Sequence, residues 1–228
     1  MPRRLPAAGW GQLLSVCRLR SRRHWKGIRT LGAITGWRAE PEAKLRFDNF
    51  AGEPRNSDIA ATCRDPNGDY LLAVEAKADE SFGETIERSL AAALERRIAN
   101  NRSNALSRIQ QLTEALFEPK RKGEPKLGTL RYQLLTACAG ALCEAERLGF
   151  DRALMLVQEF VTDETDDRKH RANAIDLDEF VSRLSHLNVT NVRSGEIYGP
   201  FGVPGLPLLE ATPRLYIGKV SRTLRSSA

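Results

Sequence analysis

Apolar and polar residues alternate along two short segments, 59–63 and 70–77, which are separated by Asp65, Pro66, Asn67 and Gly68. This alternation predicts two β-strands. Proline presets φ at the second position of a turn, and glycine accepts a positive φ at the fourth. The two segments are therefore expected to form a β-hairpin.

Helical spacing of apolar residues predicts three helices. They are expected at 83–118, 130–148 and 177–184. The first should break near Asn100 and Asn101, and its apolar stripe comprises Leu90, Leu94, Ile98, Leu106, Ile109 and Leu112. Gly149 suits the position after the second helix, and Asp176 suits the cap of the third.

A nearly continuous apolar run over 153–160 predicts a central strand that is covered on both faces. A last strand is expected at 214–220, and a packed helix at 25–37 before the hairpin. Loops are expected at 120–128, 163–167 and 195–207. This order of elements predicts a single α/β or α+β domain.

The basic residues of the chain are concentrated at its two ends. The 228 residues carry a net charge of +6, with eight basic and no acidic residues in 1–30 and three basic and no acidic residues in 219–228. The stretch 31–218 holds 24 basic and 29 acidic residues and is mildly acidic. The net charge therefore does not indicate a basic binding domain, and the two ends could contact phosphate or be solvated tails.

Hydropathy and cysteine content bear on the cellular compartment. No apolar run reaches the roughly 18 residues of a membrane span, so no membrane association is expected. Cys17, Cys63, Cys138 and Cys143 form no CxxC motif, which favours reduced thiols in a cytoplasmic protein. The three histidines show no metal-ligand spacing, and the chain has no phosphate-binding loop of the P-loop type.

Candidate chemistry is found in the hairpin. Glu75 and Lys77 are two residues apart and face the same way on a strand. The partner numbers in the hairpin should add up to 133 or 134, which places Asp58 opposite Glu75 or Ala76. Two nearby carboxylates repel each other unless a cation lies between them, and carboxylate oxygens suit Mg²⁺ or Mn²⁺. Lys77 could then stabilise charge on a phosphate, although a plain surface ion pair would also explain Glu75 and Lys77.

An acid on one strand, Glu-x-Lys on its antiparallel neighbour and a following helix resemble the PD-(D/E)XK nuclease superfamily. Surrounding segments resemble an uncharacterised bacterial family with nuclease-like motifs: 24–26, 56–58, 74–77, 82–84 and 130–135. The resemblance implies a restriction-endonuclease-like α/β core, a small mixed β-sheet flanked by helices. This core is expected as one domain over 24–220, with basic extensions at 1–23 and 221–228.

The resemblance also implies roles for individual residues. Asp58 and Glu75 match the metal-binding acids, and Lys77 matches the catalytic lysine. Two further polar residues are catalytic candidates: Glu84 and Gln133. Ser57 departs from the proline that precedes the acid in the superfamily motif.

Three functions are compatible with this pattern. The first is a Mg²⁺-dependent nuclease that hydrolyses phosphodiester bonds of nucleic acid, with DNA favoured by the resemblance. The second is a non-catalytic nucleic-acid-binding or regulatory protein that retains the fold. An enzyme acting on a small phosphorylated substrate is the third, and the acidic body of the chain disfavours it.

Overall fold

A mixed β-sheet of seven strands forms the centre of the protein. The computed structural model describes residues 18–19, 31–48, 50 and 54–223, and only the backbone of 18–19. The strands are β1 (Arg18–Leu19), β2 (Gly36–Leu45), β3 (Arg55–Asp65), β4 (Gly68–Lys77), β5 (Arg152–Val161), β6 (Glu196–Phe201) and β7 (Arg214–Thr223). Their order across the sheet is β1-β6-β7-β5-β4-β3-β2.

Four α-helices and one short 3₁₀ helix complete the described part of the chain. They are α1 (Ile86–Ala99), α2 (Ala105–Leu116), the 3₁₀ helix (Leu127–Thr129), α3 (Tyr132–Arg147) and α4 (Asp167–Leu184). The architecture is therefore α/β, a mixed sheet flanked by helices. None of these helices is long and apolar enough to cross a membrane.

The predicted hairpin is confirmed. Strands β3 and β4 pair antiparallel from Ile59 opposite Val74 to Asp65 opposite Gly68, so the partner numbers add up to 133. Gly68 has a φ of 113°, the left-handed conformation that glycine adopts most readily. The turn chemistry thus selects one of the two expected registers.

Strand β5 is the predicted central strand. It pairs in parallel with β4 on one side and with β7 on the other. Ala153, Met155 and Val157 pack on the face that the four α-helices cover, while Leu154 and Leu156 join a smaller core on the opposite face. This smaller core also contains Leu31, with Ile34 packed against it.

Two predicted helix boundaries are confirmed. The first helical segment is broken between Ala99 and Ala105, as the two asparagines indicated. Helix α3 ends at Arg147 with Leu148 as its C-cap, and Gly149 follows with a φ of 71°. The apolar stripe predicted for the first helical segment is confirmed only in part. Ile109 and Leu112 of α2 are buried, whereas the predicted stripe residues of α1 are exposed: Leu90, Leu94 and Ile98.

The prediction of a helix at 25–37 is wrong for residues 31–37, the part of this segment that the structure describes. Residues 31–35 form no regular element and Gly36 begins β2, while residues 25–30 lie outside the described residues. Strand β2 lies at the edge of the sheet, contains Pro41, and is exposed over most of its length. Because such a strand needs no alternating apolar pattern, its sequence gives little signal.

Two further predictions need correction. Helix α4 begins at Asp167, ten residues before the predicted start, and Asp166 caps it by accepting a hydrogen bond from the N–H of Arg168. The predicted cap, Asp176, forms an ion pair of 2.8 Å with Arg131. The first turns of α4 are polar and lack helical apolar spacing. The predicted loop 195–207 contains strand β6.

Candidate functional site

Glu75 and Lys77 lie side by side on the helix-covered face of β4. The ammonium of Lys77 donates a hydrogen bond to Oε1 of Glu75 at 3.0 Å. Both residues are buried, at 4% exposure each. The pair is therefore not a surface ion pair, which removes the simplest alternative explanation of this motif.

Three side chains hold the carboxylate of Glu75. Gln133 of α3 donates from Nε2 to Oε1, the oxygen that also accepts from Lys77. Arg55, at the start of β3, donates from its guanidinium to Oε2 and from Nε to the hydroxyl of Thr136 at 3.2 Å. The structure thus brings Gln133 to the site, and it adds Arg55.

Asp58 lies across from Glu75, on the continuation of the β3–β4 register. Its Oδ2 accepts a hydrogen bond from the N–H of Ala76 at 2.6 Å. Burial raises the pKa of Asp58, and the negative charges of Glu75 and Glu42 add to this rise, whereas the Ala76 hydrogen bond and Lys77 oppose it. The ionised form of Asp58 is therefore disfavoured in these surroundings.

Glu84 is the one candidate that lies apart from the others among the described residues. Its side chain is exposed and forms an ion pair of 3.2 Å with Arg88 on the surface of α1. Ser57, in contrast, is fully buried, and its hydroxyl donates to the carbonyl oxygens of Val74 and Ile59 at 3.2 and 3.0 Å. A serine here ties the two strands together next to Asp58.

Sequence reasoning missed two charged residues of the site, Arg55 and Glu42. Arg55 directly follows Gly52, Glu53 and Pro54, a composition typical of a turn. Glu42 lies between Pro41, which pairs with Ile59, and Ala43, which pairs with Ser57. This position faces Asp58, but it could only be recognised once β2 was known to be a strand. The left-handed φ of 52° at Glu42 marks an irregularity there.

A second buried polar cluster lies on the neighbouring strand. Glu159 is the register partner of Lys77 and lies 3.2 Å from Nζ of Lys219 and 3.1 Å from Nδ1 of His170. It also accepts a hydrogen bond of 2.7 Å from the hydroxyl of Ser221. Burial raises the pKa of Glu159, but the Ser221 hydrogen bond and the charge of Lys219 outweigh it, and the net shift is downward. The register of β4 and β5 thus places this second group of ionisable side chains next to the Glu75–Lys77 pair.

The donor set at Asp58 and Glu75 fits a magnesium-type ion better than a zinc-type ion. In the described part of the chain, no group of three or more His, Cys, Asp or Glu side chains is arranged to hold a metal. Mg²⁺ needs only one or two carboxylates, since waters and phosphate oxygens complete its shell. Oδ1 of Asp58 accepts no hydrogen bond from the described residues, whereas Oε1 of Glu75 accepts two and Oε2 accepts one. A cation would therefore share Glu75 with Arg55.

The fold and the site define an α/β protein with a buried, hydrogen-bonded Glu-Lys pair on the helix-covered face of its sheet and an aspartate bonded to the backbone of the residue between them. The chain belongs to the family described as Domain of unknown function (DUF6946), whose family model matches residues 22–223. No curated protein matched the chain, and no solved structure matched it.

Proposed function

We propose that this protein hydrolyses phosphodiester bonds of nucleic acid at a divalent cation, Mg²⁺ or Mn²⁺, held by Asp58 and Glu75. The observation that carries this proposal is that Lys77 bonds Glu75 at 3.0 Å and that Asp58 accepts a hydrogen bond from the N–H of Ala76, between these two residues, where the charges of both act on it. Two carboxylates and an ammonium are the groups that phosphodiester hydrolysis needs at one place.

The arrangement of elements supports the proposal. The acid and the Glu-x-Lys motif lie on adjacent antiparallel strands, β3 and β4, of a mixed sheet. Helix α3 packs on the same face and supplies Gln133. This is the setting that the resemblance implies for a restriction-endonuclease-like core.

Each side chain has a distinct part in the proposed reaction. A bound divalent cation would acidify a water molecule and neutralise charge on the phosphate. Lys77 is held in place by Glu75 and supplies a positive charge next to the proposed phosphate position. Arg55 and Gln133 are positioning residues, because they fix the Glu75 carboxylate without a role in bond cleavage.

The test is a cleavage assay on supercoiled DNA, single-stranded DNA and RNA with Mg²⁺ or Mn²⁺. Asp58→Asn, Glu75→Gln and Lys77→Met should each reduce cleavage about a hundredfold or more. Asp69→Asn is a matched control, because Asp69 is an acid of β4 that pairs with Arg64 at 2.6 Å, outside the site. Cleavage that survives all three site variants would overturn the proposal, as would a wild-type protein that cuts none of these substrates.

One observation favours the alternative of a non-catalytic nucleic-acid-binding protein. The guanidinium of Arg55 satisfies Glu75 without any metal ion, as expected of a site that has become purely structural. Such a protein would bind nucleic acid without cutting it, and Mg²⁺ would not raise its melting temperature. Removal of residues 1–23 should then weaken binding and reduce its salt dependence, because this segment is basic and holds no acid.

A further inference from the structure

His170 has a buried imidazole without a hydrogen-bond partner among the described residues. Its side chain is 10% exposed, and both ring nitrogens are buried. Nδ1 lies 3.1 Å from Oε1 of Glu159, whereas Nε2 has no polar partner in the described part of the chain. Buried polar atoms of folded proteins are almost always paired, so an unpaired imidazole nitrogen is a candidate for contact with a ligand.

Helix α4 holds His170 at the end of β4. Two residues of α4 on either side of His170 contact the segment that directly follows the Glu-x-Lys motif. Nζ of Lys169 lies 2.7 Å from Oδ2 of Asp79, and Nδ2 of Asn173 donates a hydrogen bond to the carbonyl oxygen of Glu80 at 2.9 Å. These contacts place the imidazole at the same end of the sheet as the proposed site.

Glu159 connects His170 to this site. It is the register partner of Lys77, on the neighbouring strand β5. Its Oε2 accepts a hydrogen bond from Ser221 and lies 3.2 Å from Nζ of Lys219, while Oε1 is the oxygen next to His170. A carboxylate held in this way orients an imidazole through Nδ1 and leaves Nε2 for a reacting group.

Phosphodiester hydrolysis also needs a group that gives a proton to the leaving oxygen. The residues of the proposed site have other parts: Asp58 and Glu75 would hold the cation, and Lys77 is bonded to Glu75. Histidine is the side chain that most often transfers protons in enzymes. His170 is therefore suited to the step that these three residues leave open.

We propose that His170 is a catalytic residue that donates a proton from Nε2 to the leaving oxygen of the phosphodiester, an inference that rests on the function proposed above. The oxygen of the attacking water forms a bond to phosphorus, and the bond from phosphorus to the leaving oxygen breaks with its electron pair on that oxygen. The proton from His170 turns this oxygen into a hydroxyl group. One proton of the attacking water passes to solvent, and His170 takes up a new proton from solvent. Glu159 is a positioning residue, because it acts through the imidazole.

The first experiment compares ordinary DNA with two DNAs that carry sulfur at one phosphate, in place of either the 3′- or the 5′-bridging oxygen. Sulfur leaves as a thiolate and needs no proton donor, because a thiol loses its proton far more readily than an alcohol. His170→Gln should lower the cleavage of ordinary DNA about a hundredfold. On the substrate in which sulfur is the leaving atom, this variant should cut nearly as fast as the wild type.

His186→Gln is the matched control. Nδ1 of His186 also lies next to a glutamate, at 2.6 Å from Glu124, but this histidine follows the opposite end of α4. The control should cut all three substrates like the wild type. Glu159→Gln should lower the cleavage of ordinary DNA less than His170→Gln does, and the same sulfur substrate should restore it.

Two results would overturn the role of His170 alone. One is a His170→Gln variant that loses the same factor on all three substrates, because the loss would then be structural. The other is a His170→Gln variant that cuts ordinary DNA at the wild-type rate. A wild-type protein that cuts none of the substrates would instead overturn the proposed function, and this inference with it.

A second measurement uses the wild-type protein and does not depend on cleavage, so it stands even if His170→Gln fails to fold. In the absence of divalent cations, a short single-stranded DNA should shift the ¹⁵N resonance of Nε2 of His170 and leave the His186 resonances unchanged. If no concentration of DNA shifts the His170 resonance, the contact with substrate is contradicted.

Discussion

Arg55 and Glu75 form a buried ion pair that joins the first residue of β3 to the carboxyl-terminal part of β4. The guanidinium donates to Oε2 of Glu75, and the two side chains are 9% and 5% exposed. The pair places a fixed positive charge against the carboxylate that is proposed to hold a metal ion. Arginine and a divalent cation should therefore compete for Glu75.

Arg55→Met should make the protein less stable but more responsive to Mg²⁺. Loss of one partner leaves a buried carboxylate with less compensation, which should lower the free energy of unfolding by about 3 kcal/mol. A cation can replace part of the lost charge, so added Mg²⁺ should raise the melting temperature more in the variant than in the wild type. Arg38→Met, at an exposed arginine of β2, is the control. If Mg²⁺ raised the melting temperature of Arg55→Met and of the wild type by the same amount, the proposed competition for Glu75 would be contradicted.

Asp58→Asn should stabilise the metal-free protein at neutral pH. Burial, together with the charges of Glu75 and Glu42, raises the pKa of Asp58, so its ionised form is disfavoured in the folded state. Wild-type stability therefore falls as pH rises through this pKa, and the penalty is absent at lower pH, where Asp58 is protonated. Because Asp58 is partly exposed, a gain of about 0.5 kcal/mol is expected in urea unfolding at pH 7 and none near pH 3. A variant less stable than the wild type at pH 7 would argue against this account.

The stability that Asp65 contributes should change with pH in the opposite direction to that of Asp58, which lies on the same strand, β3. Burial alone would raise its pKa, but hydrogen bonds from Arg152, Gly32 and Asn67 outweigh it, and the pKa lies below the usual 3.8. Arg152 and Asp65 are fully buried, and the guanidinium bonds both carboxylate oxygens at 2.7 and 3.0 Å. This stabilisation is complete above about pH 5 and is lost as pH falls through the folded-state pKa.

A double-mutant cycle measures the strength of that pair. Asp65→Asn and Arg152→Met should each cost about 3–5 kcal/mol of unfolding free energy at pH 7, because each leaves a buried charge without its partner. The double variant should cost clearly less than the sum. Costs that simply add would show that the two residues act separately.

The described cysteines should be poorly reactive in the folded protein. Burial raises the pKa of Cys63 to about 11 and that of Cys143 to about 12, and it also raises the pKa of the fully buried Cys138. Thiolate is the reactive form, so all three thiols should react slowly with a disulfide reagent at pH 8. A Cys17→Ser background restricts the assay to these three. Cys143, the half-buried one, should react first, and rapid labelling of Cys63 or Cys138 without denaturant would contradict the buried placement.

The hairpin could be predicted because its signals are local. Four consecutive residues, Asp65 to Gly68, specify the turn, and the turn fixes the register that brings Asp58 towards Glu75. Glu84 was selected for its position just after the Glu-x-Lys motif. Sequence proximity did not bring it to the site, because α1 begins at Ile86 and leaves Glu84 exposed beside Arg88.

Contacts between distant segments could not be predicted from the local sequence pattern. Arg55 and Gln133 are 20 and 58 residues from Glu75 along the chain, and only the packing of α3 over the sheet brings all three together. Gln133 was found through the resemblance alone. Arg55 gave no signal, since a lone arginine in a turn-like segment is ordinarily solvated. The start of α4 was missed because its first turns are polar.

Strand β2 has a consequence for how copies of this protein can associate. Pro41 has no N–H to offer a further strand, and the left-handed backbone at Glu42 interrupts the edge. This edge of the sheet is therefore a poor template for strand addition from another molecule, which protects the protein from edge-to-edge aggregation. Any self-association would then use helical surfaces, where side-chain contacts rather than backbone hydrogen bonds determine the partner.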